Sequence, residues 1–181
     1  MVVLGIVAAS VALSTPLVAT GRSGDDASAV ALANASRRSA GLHALRRAGV
    51  LDALAARHNA RMASSGAIFH NEALPSQLSA AGAPWVVVGE NVGVGPSVRD
   101  IHDGFMASAT HRDNVLSSGD NAVGIAVTTG ARGRVYVTQV FAELGSAQAA
   151  TRPAPPERGS CALRTAEDGT RVPASFYGLP C

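Results

Sequence analysis

Apolar and polar positions alternate with two different periods along this 181-residue chain, and the change of period marks its elements. Ala27 to Arg38 is Ala-rich and preceded by Asp25, Asp26 and Ser28, a helix-start composition, and Gly41 stands where that helix should end. A second helix is expected from about Val50 to Ser64. Leu51, Leu54, Ala55, His58 and Met62 fall on one face at 3–4 spacing, with Arg57 and Arg61 on another. His58 lies on the apolar stripe, where a hydrogen-bonded core histidine is the preferred reading over a ligand. A third helix opens with Ser97-x-x-Asp100, a capping-box pattern with Asp in place of Glu, and continues through Val98, Ile101, Phe105 and Ser108 to end near Thr110. His111 and Arg112 then stand at its C-terminal end, where cations suit the helix dipole.

The later part changes to period two. Val123, Ile125 and Val127 alternate with small residues, and Arg134 to Ala142 alternates again. The intervening TTGARG supplies Gly130 and Gly133 for a tight turn, so the pair reads as a β-hairpin. Trp85 to Val88 makes a further short strand before Gly89. Helices first and antiparallel strands late predict an α+β layered domain without βαβ winding.

The two ends differ from the middle. Residues 1–21 carry no charge, and their apolar run from Val2 to Leu13 is broken by Ser14-Thr15-Pro16. That is shorter than the roughly 20 residues a bilayer span needs, and with Ala19, Thr20 and Gly21 following it fits a secretory signal peptide better than an anchor. Residues 22–145 form the globular domain. Residues 146–160, SAQAATRPAPPERGS, read as a Pro/Ala-rich linker. Residues 161–181 are a tail holding the only two cysteines, Cys161 and Cys181, which an oxidising compartment would join as a disulfide.

Charge narrows the partners. All fifteen cations are arginine, against thirteen acids, and the net charge is +2. This balance argues against nucleic acid, and the pairs Arg37-Arg38 and Arg46-Arg47 read as solvated helix faces. The triplet His111-Arg112-Asp113 invites comparison with a kinase catalytic loop. That reading fails, because the position of the loop asparagine is Ser118 and the chain has no lysine at all.

Three polar patches interrupt the apolar framework: Phe69-His70-Asn71-Glu72, the segment Gly89 to Gly95 with Glu90 and Asn91, and Ser108 with His111 and Arg112. Glu90 is flanked by Val86-Val87-Val88 and Val92, so its carboxylate is expected to be desolvated and to need a partner.

In order along the chain stand Asn34-x-x-Arg37, Gly41-Leu42-x-x-Leu45, Ala56-x-His58-x-x-x-Met62, His70, Gly89-Glu90-Asn91, Phe105-Met106-x-Ser108-x-x-His111-Arg112-x-Asn114, Val123-Gly124-Ile125 and Tyr136-Val137-Thr138-Gln139-Val140-Phe141. Together they resemble the bacterial CAP domains, the superfamily of cysteine-rich secretory proteins, antigen 5 and pathogenesis-related proteins, over residues 27 to 144. The resemblance implies a three-layer α-β-α sandwich with a central antiparallel sheet and a cleft over it. Eukaryotic members line that cleft with two histidines and two glutamates that hold zinc in some cases. His70 and Glu90 match one histidine and one glutamate. Ser108 stands in place of the second glutamate, Tyr136 in place of the second histidine, and His111 comes from the helix end as in bacterial relatives.

The expected ligand-binding set is therefore His70, Glu90, Asn91, Ser108, His111 and Tyr136. No cofactor follows from the residues alone. Zinc or another divalent ion would draw on His70 and His111, and three donors with an open position would suffice for zinc. Ser108 is read as a packing or capping residue before a nucleophile, so a binding module is favoured over an enzyme. The expected protein is secreted or in the cell envelope, without a membrane span after processing. Its expected partner is a small apolar or amphipathic ligand or a cell-wall component. The alternative is a zinc-assisted or Ser/His hydrolase acting on an extracellular peptide or polymer.

Overall fold

The computed structural model describes residues 23–145 and the strand at 165–166. The expected signal peptide, linker and Cys161–Cys181 disulfide lie outside the described residues. Helix α1 covers Ser23–Ser39, followed by strand β1 (Arg46–Arg47), helix α2 (Gly49–Ser65) and the short helix α3 (Leu74–Ala80). Strand β2 (Trp85–Gly95) leads into helices α4 (Val98–Ala107) and α5 (Ala109–Val115). Strands β3 (Ala122–Thr129) and β4 (Val135–Leu144) complete the domain, and β5 is Thr165–Ala166. Among the described residues no helix is long and apolar enough to cross a membrane.

The sheet has the order β1-β3-β4-β2-β5. The hairpin of β3 and β4 is in register from Ala122↔Ala142 to Thr129↔Val135, turning through Arg132 and Gly133 at φ 60° and 72°. Strand β2 runs antiparallel to β4, while the two residues of β1 lie parallel to β3, a departure from the all-antiparallel expectation. Beyond that short pairing the outer edge of β3 is covered by carboxylates. Ile125 N–H donates to Asp52 at 3.2 Å and Val127 N–H to Asp26 at 2.8 Å. These contacts satisfy edge groups that would otherwise invite another strand.

The alternation in β3 sorts the layers. Val123, Ile125 and Val127 join Val137 and Phe141 of β4 beneath Ala29 and Ala33 of α1 and Ile101 and Phe105 of α4. The opposite face presents Ala122, Gly124 and Ala126 to Leu51, Leu54 and Ala55 of α2, with Leu74 and Leu78 of α3 beside them. Small residues are needed there because α2 lies against the strand. A Cβ on Gly124 would collide with the backbone of Leu51 and Asp52. The result is the α-β-α sandwich.

Several boundaries differ from the sequence expectation. Strand β2 continues through Gly89 to Gly95, so Glu90 and Asn91 lie within a strand and face opposite layers. Gly93 is tolerated in it because α4 packs so closely that a Cβ would come within 2.7 Å of Ile101 and 2.9 Å of Phe105. The Ser97 cap holds, with Asp100 N–H donating to Ser97 Oγ at 3.2 Å and the Ser97 hydroxyl donating to Asp100 Oδ2 at 2.6 Å. The helix it opens does not reach Thr110. Ser108 adopts an extended backbone (φ −87°, ψ 124°) and separates α4 from α5, so His111 and Arg112 lie inside a second helix. Neither arginine pair forms solvated helix faces: Arg46–Arg47 is a strand, and Arg37 is 1% exposed.

Candidate functional site

Strand β2 places Glu90 on the α2 side of the sheet, where it is 2% exposed. Its Oε1 accepts two hydrogen bonds, from His70 Nδ1 at 2.8 Å and from the Asn71 N–H at 2.9 Å. Both donors come from the segment after α2, so the carboxylate pins that loop to the sheet and orients the His70 ring. This is the partner that a desolvated carboxylate requires. The other oxygen, Oε2, is buried without a hydrogen-bond partner among the described residues and lies 4.0 Å from His58 Nε2.

His58 adds a third imidazole behind the pair. Its Nε2 is 2.6 Å from the Phe69 carbonyl, and because a carbonyl only accepts, the proton resides on Nε2. Its Nδ1 is buried without a hydrogen-bond partner. The sequence assigned His58 to the apolar stripe, and it is buried there. Its position behind Glu90 was invisible, because residues 32 apart in sequence meet only through the packing of α2 on β2.

On the other side of β2, Asn91 is fully buried and joins the sheet to α5. Its Nδ2 donates to the His111 carbonyl at 3.0 Å and to Gln139 Oε1 at 3.2 Å, and its Oδ1 accepts from Asn114 Nδ2 at 2.9 Å. Asn91 thus positions the helix that carries His111. The His111 ring stacks on Phe105 with centroids 5.1 Å apart, and its Nδ1 lies 2.9 Å from Ser108 Oγ. Burial, followed by the nearby His70, lowers the pKa of His111 below the ordinary 6.5, so the ring is neutral at physiological pH. Arg112 is separate from this group: its Nη1 donates to the Met106 carbonyl at 3.0 Å and caps the end of α4. It pairs with neither Asp113 nor Asp120. The capping role expected for both residues belongs to Arg112 alone.

The structure therefore gathers His70, Glu90, Asn91, Ser108 and His111 around β2, with His70, Ser108 and His111 partly exposed. Tyr136 is a packing residue by its contacts. It is 2% exposed in a cluster with Met62 and Val92, and the Arg134 guanidinium lies 5.8 Å from its ring centroid.

The model of the cysteine-rich secretory protein family, CAP, matches residues 30–141. The chain belongs to the CAP family. A cysteine-rich secretory protein from Staphylococcus aureus superposes with a TM-score of 0.57 at 25% identity, covering 66% of this chain and 38% of that one. An extracellular protein containing an SCP domain from Bacillus anthracis gives 0.57 at 20% identity, covering 66% and 40%. An outer surface protein from Borrelia burgdorferi gives 0.63 at 11% identity, covering 69% and 99%. The CAP chain thus spans about two-fifths of the staphylococcal and Bacillus proteins. No curated protein matches it.

Among the described residues no three His, Cys, Asp or Glu side chains are grouped as ligands. Nδ1 of His70 is engaged with Glu90, Nδ1 of His111 with Ser108, and Oε1 of Glu90 already accepts two hydrogen bonds. As placed, these residues form a hydrogen-bonded network through those atoms, so a metal would have to be met by the opposite ring nitrogens of His70 and His111.

Proposed function

We propose that this CAP domain is a non-catalytic binding module of the extracellular space or cell envelope. It would take a small amphipathic or cell-wall ligand at His70, Glu90 and His111. One observation carries the reading: two partly exposed imidazoles are held in fixed orientation, His70 by a buried carboxylate and His111 by Ser108 and the Phe105 ring. A neutral His111 offers hydrogen bonding without charge, and Phe105 gives it an apolar backing. Such a site selects a ligand with one polar group on an apolar body. The extracellular and outer-surface character of the bacterial neighbours supports the location by analogy of fold.

The test follows the histidine ring resonances by NMR while titrating deoxycholate, a muropeptide and, separately, zinc chloride. Shifts at His70 and His111 with either organic probe, lost in Glu90→Leu, support the reading. Rings that respond to zinc alone, or to none of the three, overturn it.

The 2.9 Å contact of Ser108 Oγ with His111 Nδ1 favours a second reading, a Ser/His hydrolase acting on an extracellular peptide or polymer. Covalent labelling of Ser108 by a fluorophosphonate, abolished in His111→Ala, would establish it. An unlabelled wild type removes it.

A further inference from the structure

Two large apolar side chains stand out of the surface among the described residues, and they are neighbours: Ile68, 49% exposed, and Phe69, 36% exposed. Their prominence is built by Gly66, which ends α2 in the left-handed region at φ 71° with its N–H donating to the Met62 carbonyl. The chain then leaves the helix, and His58 and Glu90 anchor its return at Phe69 and Asn71. The apolar tip is thus a short loop fixed at its far end. Arginines lie at this end of the domain. The Arg61 guanidinium lies 5.4 Å from the centroid of the Phe69 ring, and Arg57 is one turn earlier on α2. The β3–β4 turn reaches the same end of α2, where a Cβ on Gly130 would stand 3.3 Å from the Ala63 carbonyl, and it carries Arg132 and Arg134. All four arginines are exposed, and none has a carboxylate within ion-pair distance among the described residues. Arg47, by contrast, is paired with both Asp26 and Asp52.

We propose that this end of the domain docks on an anionic lipid bilayer, with Ile68 and Phe69 entering the headgroup boundary while Arg57, Arg61, Arg132 and Arg134 meet lipid phosphates. Positive charge alone would serve any polyanion. The apolar pair favours a bilayer over a wholly polar polyanion, because there its exposure to water ends on contact beside the anionic headgroups. Lipid docking is independent of whether the His70 site binds a ligand.

The experiment is flotation of the full chain with vesicles of phosphatidylglycerol and phosphatidylcholine, against pure phosphatidylcholine, at about 0.1 M salt. Binding should require phosphatidylglycerol. The double variant Arg57→Gln/Arg132→Gln should bind about tenfold or more weakly, since each surface cation contributes about fivefold. Ile68→Ser should bind at least about threefold more weakly, because it removes about half of the exposed apolar area at the tip. Arg99→Gln, at the start of α4, should bind as wild type. Absence of binding to phosphatidylglycerol vesicles overturns the proposal. So does binding indifferent to the Arg57/Arg132 pair and to Ile68, which would assign it to the apolar N-terminal run. Sensitivity to the arginines but not to Ile68, with equal competition by inorganic polyphosphate, would make a soluble polyanion the partner and likewise overturn it.

Discussion

Two buried polar clusters of this domain look alike in sequence and differ in construction. Around Arg37, Nε donates to the His43 carbonyl at 2.9 Å and Nη1 to the carbonyls of Val115 and Ser117 at 2.9 and 2.7 Å. Nη2 reaches the Asp120 carbonyl at 3.4 Å. Asn34, one turn earlier, exchanges two bonds with the Leu45 backbone. This cluster ties the loops after α1 and α5 to one guanidinium. Around Glu90 the same kind of burial leaves Glu90 Oε2 and His58 Nδ1 without hydrogen-bond partners, and two histidines reach the surface. The first cluster joins backbone segments inside the fold, whereas the second extends from the interior to two partly exposed imidazoles. Asn34-x-x-Arg37 thus ties segments of the fold together, and the Glu90 group is the one on which the proposed function rests.

The sharpest way to break this contrast is at Arg37. Arg37→Leu should destabilise by about 3 kcal/mol or more, because several buried carbonyls lose their donor at once. Urea denaturation measures it, and Arg37→Lys should recover little, since an ammonium cannot reach carbonyls spread around a planar fork. A near-neutral Arg37→Leu would dissolve the distinction between the clusters.

Glu90→Leu should come next, costing about 1–3 kcal/mol by stranding the Asn71 N–H and His70 Nδ1. Glu90→Gln keeps an acceptor for both and should cost less, while still altering the histidine resonances. Equal melting temperatures for wild type, Gln and Leu would place Glu90 outside any network.

Coupling across the site is expected to be smaller. In a double-mutant cycle near neutral pH, His70→Ala and His111→Ala should deviate from additivity by about 0.5–1 kcal/mol, because the two rings influence one another. Strict additivity would separate them.

The smallest effect is in pH. Burial lowers the pKa of His102 and of His111 below 6.5, so both are neutral in the fold while the unfolded chain takes up their protons first. Stability is then fully present above pH 6.5 and declines as pH falls below it, by at most about 1.4 kcal/mol per pH unit for each group. His102 lies outside the site, its Nε2 2.9 Å from Ser36 Oγ between α4 and α1. His102→Gln should therefore remove part of the slope without touching the histidine pair. Melting curves between pH 5 and 8 measure it, and a flat profile would show that neither ring is desolvated.

Much of this was legible in the chain before any coordinates. Period 3.6 across Leu51 to Met62, period 2 across Val123 to Val127 and the Ser97 cap are local properties, and the elements follow because their causes lie within a few residues. Glu90 could be singled out because four valines surround it in sequence, and the CAP resemblance paired it with His70. Local pattern failed where the deciding neighbour was remote. Only the pairing with β4, from Gly89↔Phe141 to Gly95↔Val135, carries β2 on to Gly95, and the packing of α4 accounts for the glycine at 93. The break at Ser108 is likewise non-local. Asn91 on β2 holds the His111 carbonyl, and Arg112 folds back onto Met106, so one predicted helix becomes two. Arg37 reads as a surface cation until carbonyls 78 to 83 residues away converge on it. Composition and periodicity determine which segments are helix or strand and which face is apolar. Which polar residues are buried, and whether their hydrogen bonds are complete, depends on backbone brought from elsewhere in the chain, and only the tertiary structure decides it.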